Sequence, residues 1–222
     1  MIFESRRQAG ELLAKRLSKL KLSPIKTLIV GIPRGGVVVA QAVAASLSLP
    51  LGVIVIKKLG APLNVELAIG ATAAHGEPVL DRWFIGDLHV SSLYLKKELL
   101  KKRKEARARE KLLGVENFEG RFRGKTVVVV DDGLATGQTA RAAAKILKQF
   151  GAGALILAVP CAAPSTLEQV SQDYDKVICL EASEDFAAVG QFYRDFRPVS
   201  DGEVKAILEE QLTTDPTSSS KT

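Results

Sequence analysis

The sequence predicts an α/β protein with a central, mostly parallel sheet flanked by helices. Three observations carry this. Short, continuous apolar runs recur at 27–30, 53–56, 126–130 and 155–159, the pattern of strands buried on both faces. Segments with helical spacing separate them. The loops richest in glycine and polar residues, 31–36, 57–66 and 131–139, each follow a strand. In parallel sheets, ligands bind at that carboxyl end.

Each element has its own warrant. Residues 4–20 repeat Leu12, Leu13, Leu17 and Leu20 at helical spacing, and Ser23-Pro24 breaks the chain. The run 27–30 is a strand that ends in Gly31-Ile32-Pro33-Arg34-Gly35-Gly36, before an Ala/Val-rich helix over 37–47. A second buried strand, 53–56, ends at Lys57-Lys58. Gly60, Pro62 and Asn64 make 59–66 a loop. Short strands are expected at 67–74 and 77–80 around His75-Gly76, then a long basic helix over 91–113. Residues 126–130 are the most strand-like run; 131–137 turn, and a helix over 138–150 stops at Gly151. Strands at 155–159 and 176–180 bracket a helix at 164–171. The segment 181–200 is irregular and aromatic, and 201–211 is a last helix. A single domain over 1–212 is expected, with a Ser/Thr-rich disordered tail at 213–222.

Composition narrows the function classes. With 222 residues the core is large enough to be stable without disulfides, and the two cysteines, Cys161 and Cys179, exclude a disulfide scaffold. No apolar run approaches the length of a membrane span, and the N-terminal residues lack the apolar core of a signal peptide. A cytoplasmic location without membrane partners is expected. The net charge of +6 suits an anionic partner, and residues 96–111, with nine Lys/Arg against three Glu, account for all of it. Aromatic residues make up 5%, which weakens the case for stacking platforms along a single-stranded nucleic acid. His75, His89, Cys161 and Cys179 lack metal-ligand spacing, so no directly bound metal is expected.

The chemistry concentrates in Val127-Val128-Val129-Val130-Asp131-Asp132-Gly133-Leu134-Ala135-Thr136-Gly137-Gln138-Thr139. A buried strand delivers two adjacent carboxylates to its carboxyl end, and a loop of small and hydroxylic residues then opens a helix. Amides and the dipole at that helix start favour an anion. Thr136 and Thr139 add hydroxyl donors, and Gly137 lets the backbone approach a phosphate. Carboxylates for hydroxyls or a divalent cation thus stand beside a phosphate cradle, a combination that fits a sugar phosphate.

This run closely resembles the phosphoribosyl-pyrophosphate (PRPP) signature of the type I phosphoribosyltransferases. The resemblance implies that family's fold, a mostly parallel sheet flanked by helices with a small hood. It implies that Asp131 and Asp132 bind the ribose hydroxyls, and that Ala135, Thr136, Gly137, Gln138 and Thr139 wrap the 5′-phosphate. Pro33-Arg34-Gly35-Gly36 occupies the place of the family's pyrophosphate loop, with Arg34 as the gripping cation. Lys57 or Lys58 would reach the pyrophosphate or a loop closing over it; strand alternation lets only one of them face the site. Mg²⁺ is expected as a cofactor carried on PRPP. Asp131, Asp132 and Arg34 would form the catalytic set.

The resemblance extends through Lys58-Leu59-Gly60-Ala61-Pro62, Glu66-Leu67-Ala68-Ile69-Gly70-Ala71 and the stretch from Phe192 to Asp201. These look like a subgroup of stand-alone prokaryotic predicted phosphoribosyltransferases. A hood built from 181–200 and the terminal helices would cover a nitrogenous acceptor, with Phe186 or Tyr193 stacking on a base or packing beneath the last helix. Ala135 stands where members acting on 6-oxopurines usually carry an Asp, which argues against hypoxanthine or guanine. The resemblance further implies a homodimer. A rival reading makes the chain a PRPP-sensing regulator that binds nucleic acid through the basic helix 96–111. Against it, the helix's own Glu98, Glu105 and Glu110 offer intrahelical pairs, and nucleic acid is not the expected partner. A third reading is hydrolysis of PRPP itself.

Overall fold

A computed structural model describes residues 1–115 and 119–214. The first helix, α1 (Arg6–Leu17), is capped by Ser5, whose side chain accepts the Gln8 N–H, and turns Ala9, Leu13 and Leu17 inward. It lies on α2 (Gly35–Leu47) at Gly10, where a methyl group would stand 2.5 Å from the Val39 carbonyl oxygen. Between them in sequence comes β1 (Thr27–Gly31), a strand of the sheet beneath, buried along its whole length. The remaining elements are β2 (Leu51–Val53), β3 (Lys57–Gly60), β4 (Ala68–Thr72), β5 (Val79–Leu80), α3 (Arg82–Asp87), α4 (Ser92–Leu113), β6 (Thr126–Val130), α5 (Gln138–Gln149), β7 (Ala154–Ala162), α6 (Pro164–Ser171), β8 (Lys176–Ala182) and α7 (Asp201–Thr214).

The main sheet has the order β2-β1-β6-β7-β8, and every pair in it is parallel. The chain steps outward from β1 to β2 and then crosses to β6 on the other side of β1. The order therefore reverses between β1 and β6, which end level with each other at Gly31 and Val130. A crevice at such a switch point is where parallel sheets take ligands. Valines and leucines of β1, β6 and β7 fill the core on both faces, under α1, α2 and α7 on one side and α5 on the other.

Several expectations shift. The second buried strand ends at Val53 instead of spanning 53–56; Ile54 and Val55 stay buried but leave the sheet. Lys57 and Lys58 consequently do not close a parallel strand. They open β3 of a separate antiparallel sheet, β3-β4-β5, which also takes Leu59 and Gly60 from the expected loop. This sheet has its own apolar cluster of Leu59, Ala61 and Ile69, covered by Phe84 of α3 and Leu95 and Leu99 of α4. The six-residue α3, capped by the Asp81 carboxylate, is too short for its periodicity to register in the sequence. Strand β7 runs on to Ala162; it passes Pro160, which has no N–H and sits between the pairs Val159–Cys179 and Cys161–Glu181. Helix α7 extends to Thr214 and takes in Thr213 and Thr214 of the expected tail, whose remaining residues, 215–222, lie outside the described ones.

The first residues meet the segment that precedes α7. The Phe3 N–H donates to the Phe192 carbonyl (2.7 Å), the Arg194 N–H to Phe3 (2.8 Å) and the Asp195 N–H to Glu4 (3.1 Å). This ribbon lies against the carboxyl edge of the main sheet, and the aromatic residues of 186–196 pack around it.

Candidate active site

Strand β6 delivers Asp131 and Asp132 at the switch point. The Asp132 N–H donates to Asp131 Oδ1 (2.9 Å), which turns the chain sharply out of the strand. The first turn of α2 packs directly on this corner. A methyl group on Gly36 would stand 2.8 Å from the Val130 carbonyl oxygen, and one on Gly35 would overlap the Asp132 carboxylate. Both glycines are thus required by close approach, and the carboxylates lie against a helix N-terminus that favours negative charge. Arg34, just ahead of them, is exposed and forms no ion pair among the described residues; its peptide bond with Pro33 is cis.

Burial, and then the neighbouring Asp132 carboxylate, push the Asp131 carboxyl well above its ordinary value of 3.8. Asp132 has a counter-charge that the sequence did not reveal. Arg6, at the start of α1, places Nε 2.8 Å from Asp132 Oδ2 and donates from a terminal nitrogen to the Arg197 carbonyl (2.9 Å). Its guanidinium lies 3.9 Å from the centre of the Phe196 ring. A lone arginine in a helix start carries no sequence signal; only tertiary packing brings it to residue 132.

The loop after Asp132 is anchored on its inner side. Leu134 is buried and donates to the Cys161 carbonyl (2.9 Å), while the Ala135 carbonyl accepts from Thr166 Oγ1 (3.1 Å). Gly137 sits at φ +66°, the left-handed region, against Val170. The outer side is free. Ala135, Thr136 and Gln138 are exposed, and the backbone N–H groups of Ala135, Thr136, Gly137, Gln138 and Thr139 donate to no acceptor among the described residues. Five unengaged amides leading into and opening the α-helix α5 form a cradle for an oxyanion.

The structure therefore brings together Asp131, Asp132, Gly35, Gly36 and the 135–139 loop. The lysine pair diverges. Lys57 turns toward Glu105 of α4 (3.9 Å), whereas Lys58 is exposed and borders a cleft that Gln138 also lines. The basic helix α4 supports this region: Tyr94 donates from its hydroxyl to the Gly60 carbonyl (2.9 Å), and Lys102 pairs with Glu105 (3.1 Å).

Of its two alternatives, Tyr193 takes packing. It is 7% exposed, its ring packs between Phe3 and Phe196, and its hydroxyl donates to the Asp132 carbonyl oxygen (2.6 Å). No ring face remains for a base; Tyr193 buttresses the Asp132 backbone instead. Phe186 is half-buried with one face on Phe192. Among the described residues no helix is long and apolar enough to cross a membrane, and no group of three or more His, Cys, Asp or Glu is placed to hold a metal.

Comparison with known proteins identifies the family. The family model described as the phosphoribosyl transferase domain matches residues 2–197. A Mycobacterium tuberculosis protein named "Putative phosphoribosyl transferase" in two strains is 37% identical over 217 residues, covering 94% of this chain and 46% of the relative. The chain thus spans about half the length of the curated relatives it matches. The crystal structure of TT1426 from Thermus thermophilus superposes with a TM-score of 0.79 at 39% identity, covering 95% of this chain and 99% of that one. From the domain match, the identity to these relatives and the parallel sheet with its switch-point loops, the chain belongs to the type I phosphoribosyltransferase family.

Proposed function

We propose that the chain transfers a 5-phosphoribosyl group from PRPP to a nitrogenous acceptor and releases pyrophosphate. The observation that carries this reading is the meeting, at the switch point, of two carboxylates with five amides that have no acceptor among the described residues, opposite a glycine loop whose arginine has no ion pair among them. The 5′-phosphate would sit on the amides of residues 135–139, the ribose hydroxyls on Asp131 and Asp132, and the pyrophosphate over Arg34, Gly35 and Gly36. Lys58 is the lysine of its pair available to reach in, because Lys57 is drawn to Glu105. In the reaction the C1′–O bond to pyrophosphate breaks, the acceptor nitrogen bonds to C1′ and loses its proton, and positive charge develops on the sugar ring between. Arg34 would neutralise the leaving group, and Asp131 and Asp132 would hold the ribose in place. Mg²⁺, carried on PRPP beside those two carboxylates, would supply further leaving-group neutralisation.

Residues 1–212 act, in this reading, as one catalytic unit. The acceptor is a nitrogen heterocycle, with Phe186 as the ring that would stack on it. Ala135 offers no carboxylate for the N7 proton of a 6-oxopurine, so adenine-like bases are the first to screen. Exposed Leu63, Val65, Trp83 and Leu93 around the small sheet support a homodimer.

Isothermal titration with PRPP, with and without Mg²⁺, tests the reading, followed by a screen of bases for pyrophosphate release. Tight Mg²⁺-dependent PRPP binding is expected, weakened by Asp131→Asn and by Asp132→Asn. Unchanged binding in the double variant would remove the assignment. Pyrophosphate release without an acceptor would mark hydrolysis instead. Absence of turnover, with nucleic-acid binding lost on neutralising Lys101 and Lys104, would favour the regulator.

A further inference from the structure

Behind the phosphate loop, α5 and the small sheet face each other across a cleft of about 450 Å³. Its rim carries four cations: Lys58 on β3, Arg82 at the start of α3, and Arg141 and Lys145 on α5. The single carboxylate on the rim, Asp81, is engaged in capping α3 through the Phe84 N–H (3.1 Å). Between the cations the floor is small and apolar, made by Ala71, Val79, Leu80 and Ala142. Arg141 and Lys145 are four residues apart and so neighbour each other on one face of the helix. Asp173 holds Arg141 Nε at 2.7 Å, which fixes the guanidinium, while its terminal nitrogens make no hydrogen bond among the described residues. Lys58, Arg82 and Lys145 form no ion pair among the described residues.

Cations gathered around a concavity repel one another, and a bound anion relieves that repulsion. An apolar floor inside a cationic rim suits a flat ring joined to a chain of phosphates, and the volume lies in the range of small-molecule sites. We propose that this cleft binds a nucleoside di- or polyphosphate, with its base on the Ala71–Ala142 floor and its phosphates on Arg82, Arg141 and Lys145. It is a second site, distinct from the PRPP loop. Helix α5 runs down from the carboxyl edge of the sheet, and Lys145 lies seven residues beyond Gln138, about 10 Å along the axis. PRPP seated on residues 135–139 extends the other way, toward Asp131, Asp132 and Arg34. Gln138 lies within the phosphate loop and also at the mouth of the cleft, where the two sites border each other.

The probe is ADP, titrated into the full chain in the absence of PRPP and again with saturating PRPP and Mg²⁺. Saturable binding at a single site is expected, and it persists when PRPP is bound. Adenosine binds more weakly than ADP. Arg82→Ala and Lys145→Ala each weaken ADP by about tenfold and leave PRPP affinity within about twofold, and Lys145→Arg restores ADP binding. Displacement of ADP by PRPP, indifference to both alanine variants, or no saturation up to millimolar ADP would each overturn the proposal. A chain that binds ADP through Lys145 but never binds PRPP would remove the transferase reading and leave this one standing.

Discussion

Replacing Arg6 by Met keeps the aliphatic stem of the side chain and removes its charge. Three contacts disappear together: the 2.8 Å pair with Asp132, the bond to the Arg197 carbonyl and the stacking on Phe196. Arg6 is 9% exposed in its side chain and Asp132 17%, so solvent screens the pair only slightly. At an effective dielectric of about 20 the attraction at this distance is about 6 kcal/mol, much of it offset by desolvation of the two charges. Removing one partner leaves a nearly buried carboxylate beside a second one, and the net loss is expected at about 3 kcal/mol. For a urea dependence of about 2–3 kcal/mol per molar, the unfolding midpoint falls by about 1–1.5 M. A double-mutant cycle with Asp132→Asn isolates the pair, with a coupling of about 2 kcal/mol expected. The same cycle read in PRPP affinity reports whether Arg6 holds the carboxylate in its binding position. A coupling below about 0.5 kcal/mol would refute the argument that Arg6 is the counter-charge of Asp132.

Gly35→Ala forces a methyl group into the Asp132 carboxylate and should weaken PRPP binding by more than about tenfold. Gly86→Ala, which meets open space in α3, is the control, expected neutral or stabilising by up to about 1 kcal/mol. Because burial raises the Asp131 carboxyl, the folded chain keeps a proton that the unfolded chain releases above about pH 4. Stability should therefore fall as pH rises from there through the folded-state value, and Asp131→Asn should flatten that slope in urea titrations; equal slopes would contradict it. Tyr193→Phe keeps the ring packing and loses the bond to the Asp132 carbonyl, at a cost of about 1–2 kcal/mol by thermal unfolding. An unchanged midpoint would show that this carbonyl finds another donor.

The local half of the site was legible because one continuous stretch encodes it. Residues 126–139 carry their strand, their turn and their helix start within fourteen positions, and each part has its own chemical signature. The continuous apolar runs likewise placed β1, β6 and β7 without tertiary information. Contacts across long stretches of chain left no such trace. Arg6 meets Asp132 across 126 residues, and Tyr193 meets it across 61. Tyr193 in sequence is an aromatic residue in an irregular segment, equally suited to stacking or packing, and only its place between Phe3 and Phe196 decides. The small sheet was half visible: short strands were expected on either side of His75-Gly76, where β4 and β5 lie, but β3 begins with two lysines that resemble the solvated end of a strand.

The ribbon joining residues 3–4 to residues 192–195 also sets an order of events during synthesis. Helix α1 is made before the rest of the domain, yet Phe3 meets its backbone partners, and Arg6 its Arg197 carbonyl and Phe196 ring, only once the segment through Arg197 has emerged. Until then Arg6 can reach Asp132 but lacks the contacts that fix its guanidinium there. The site thus cannot mature on a partly made chain, and a message truncated anywhere upstream of codon 192 would yield a sheet without its keystone.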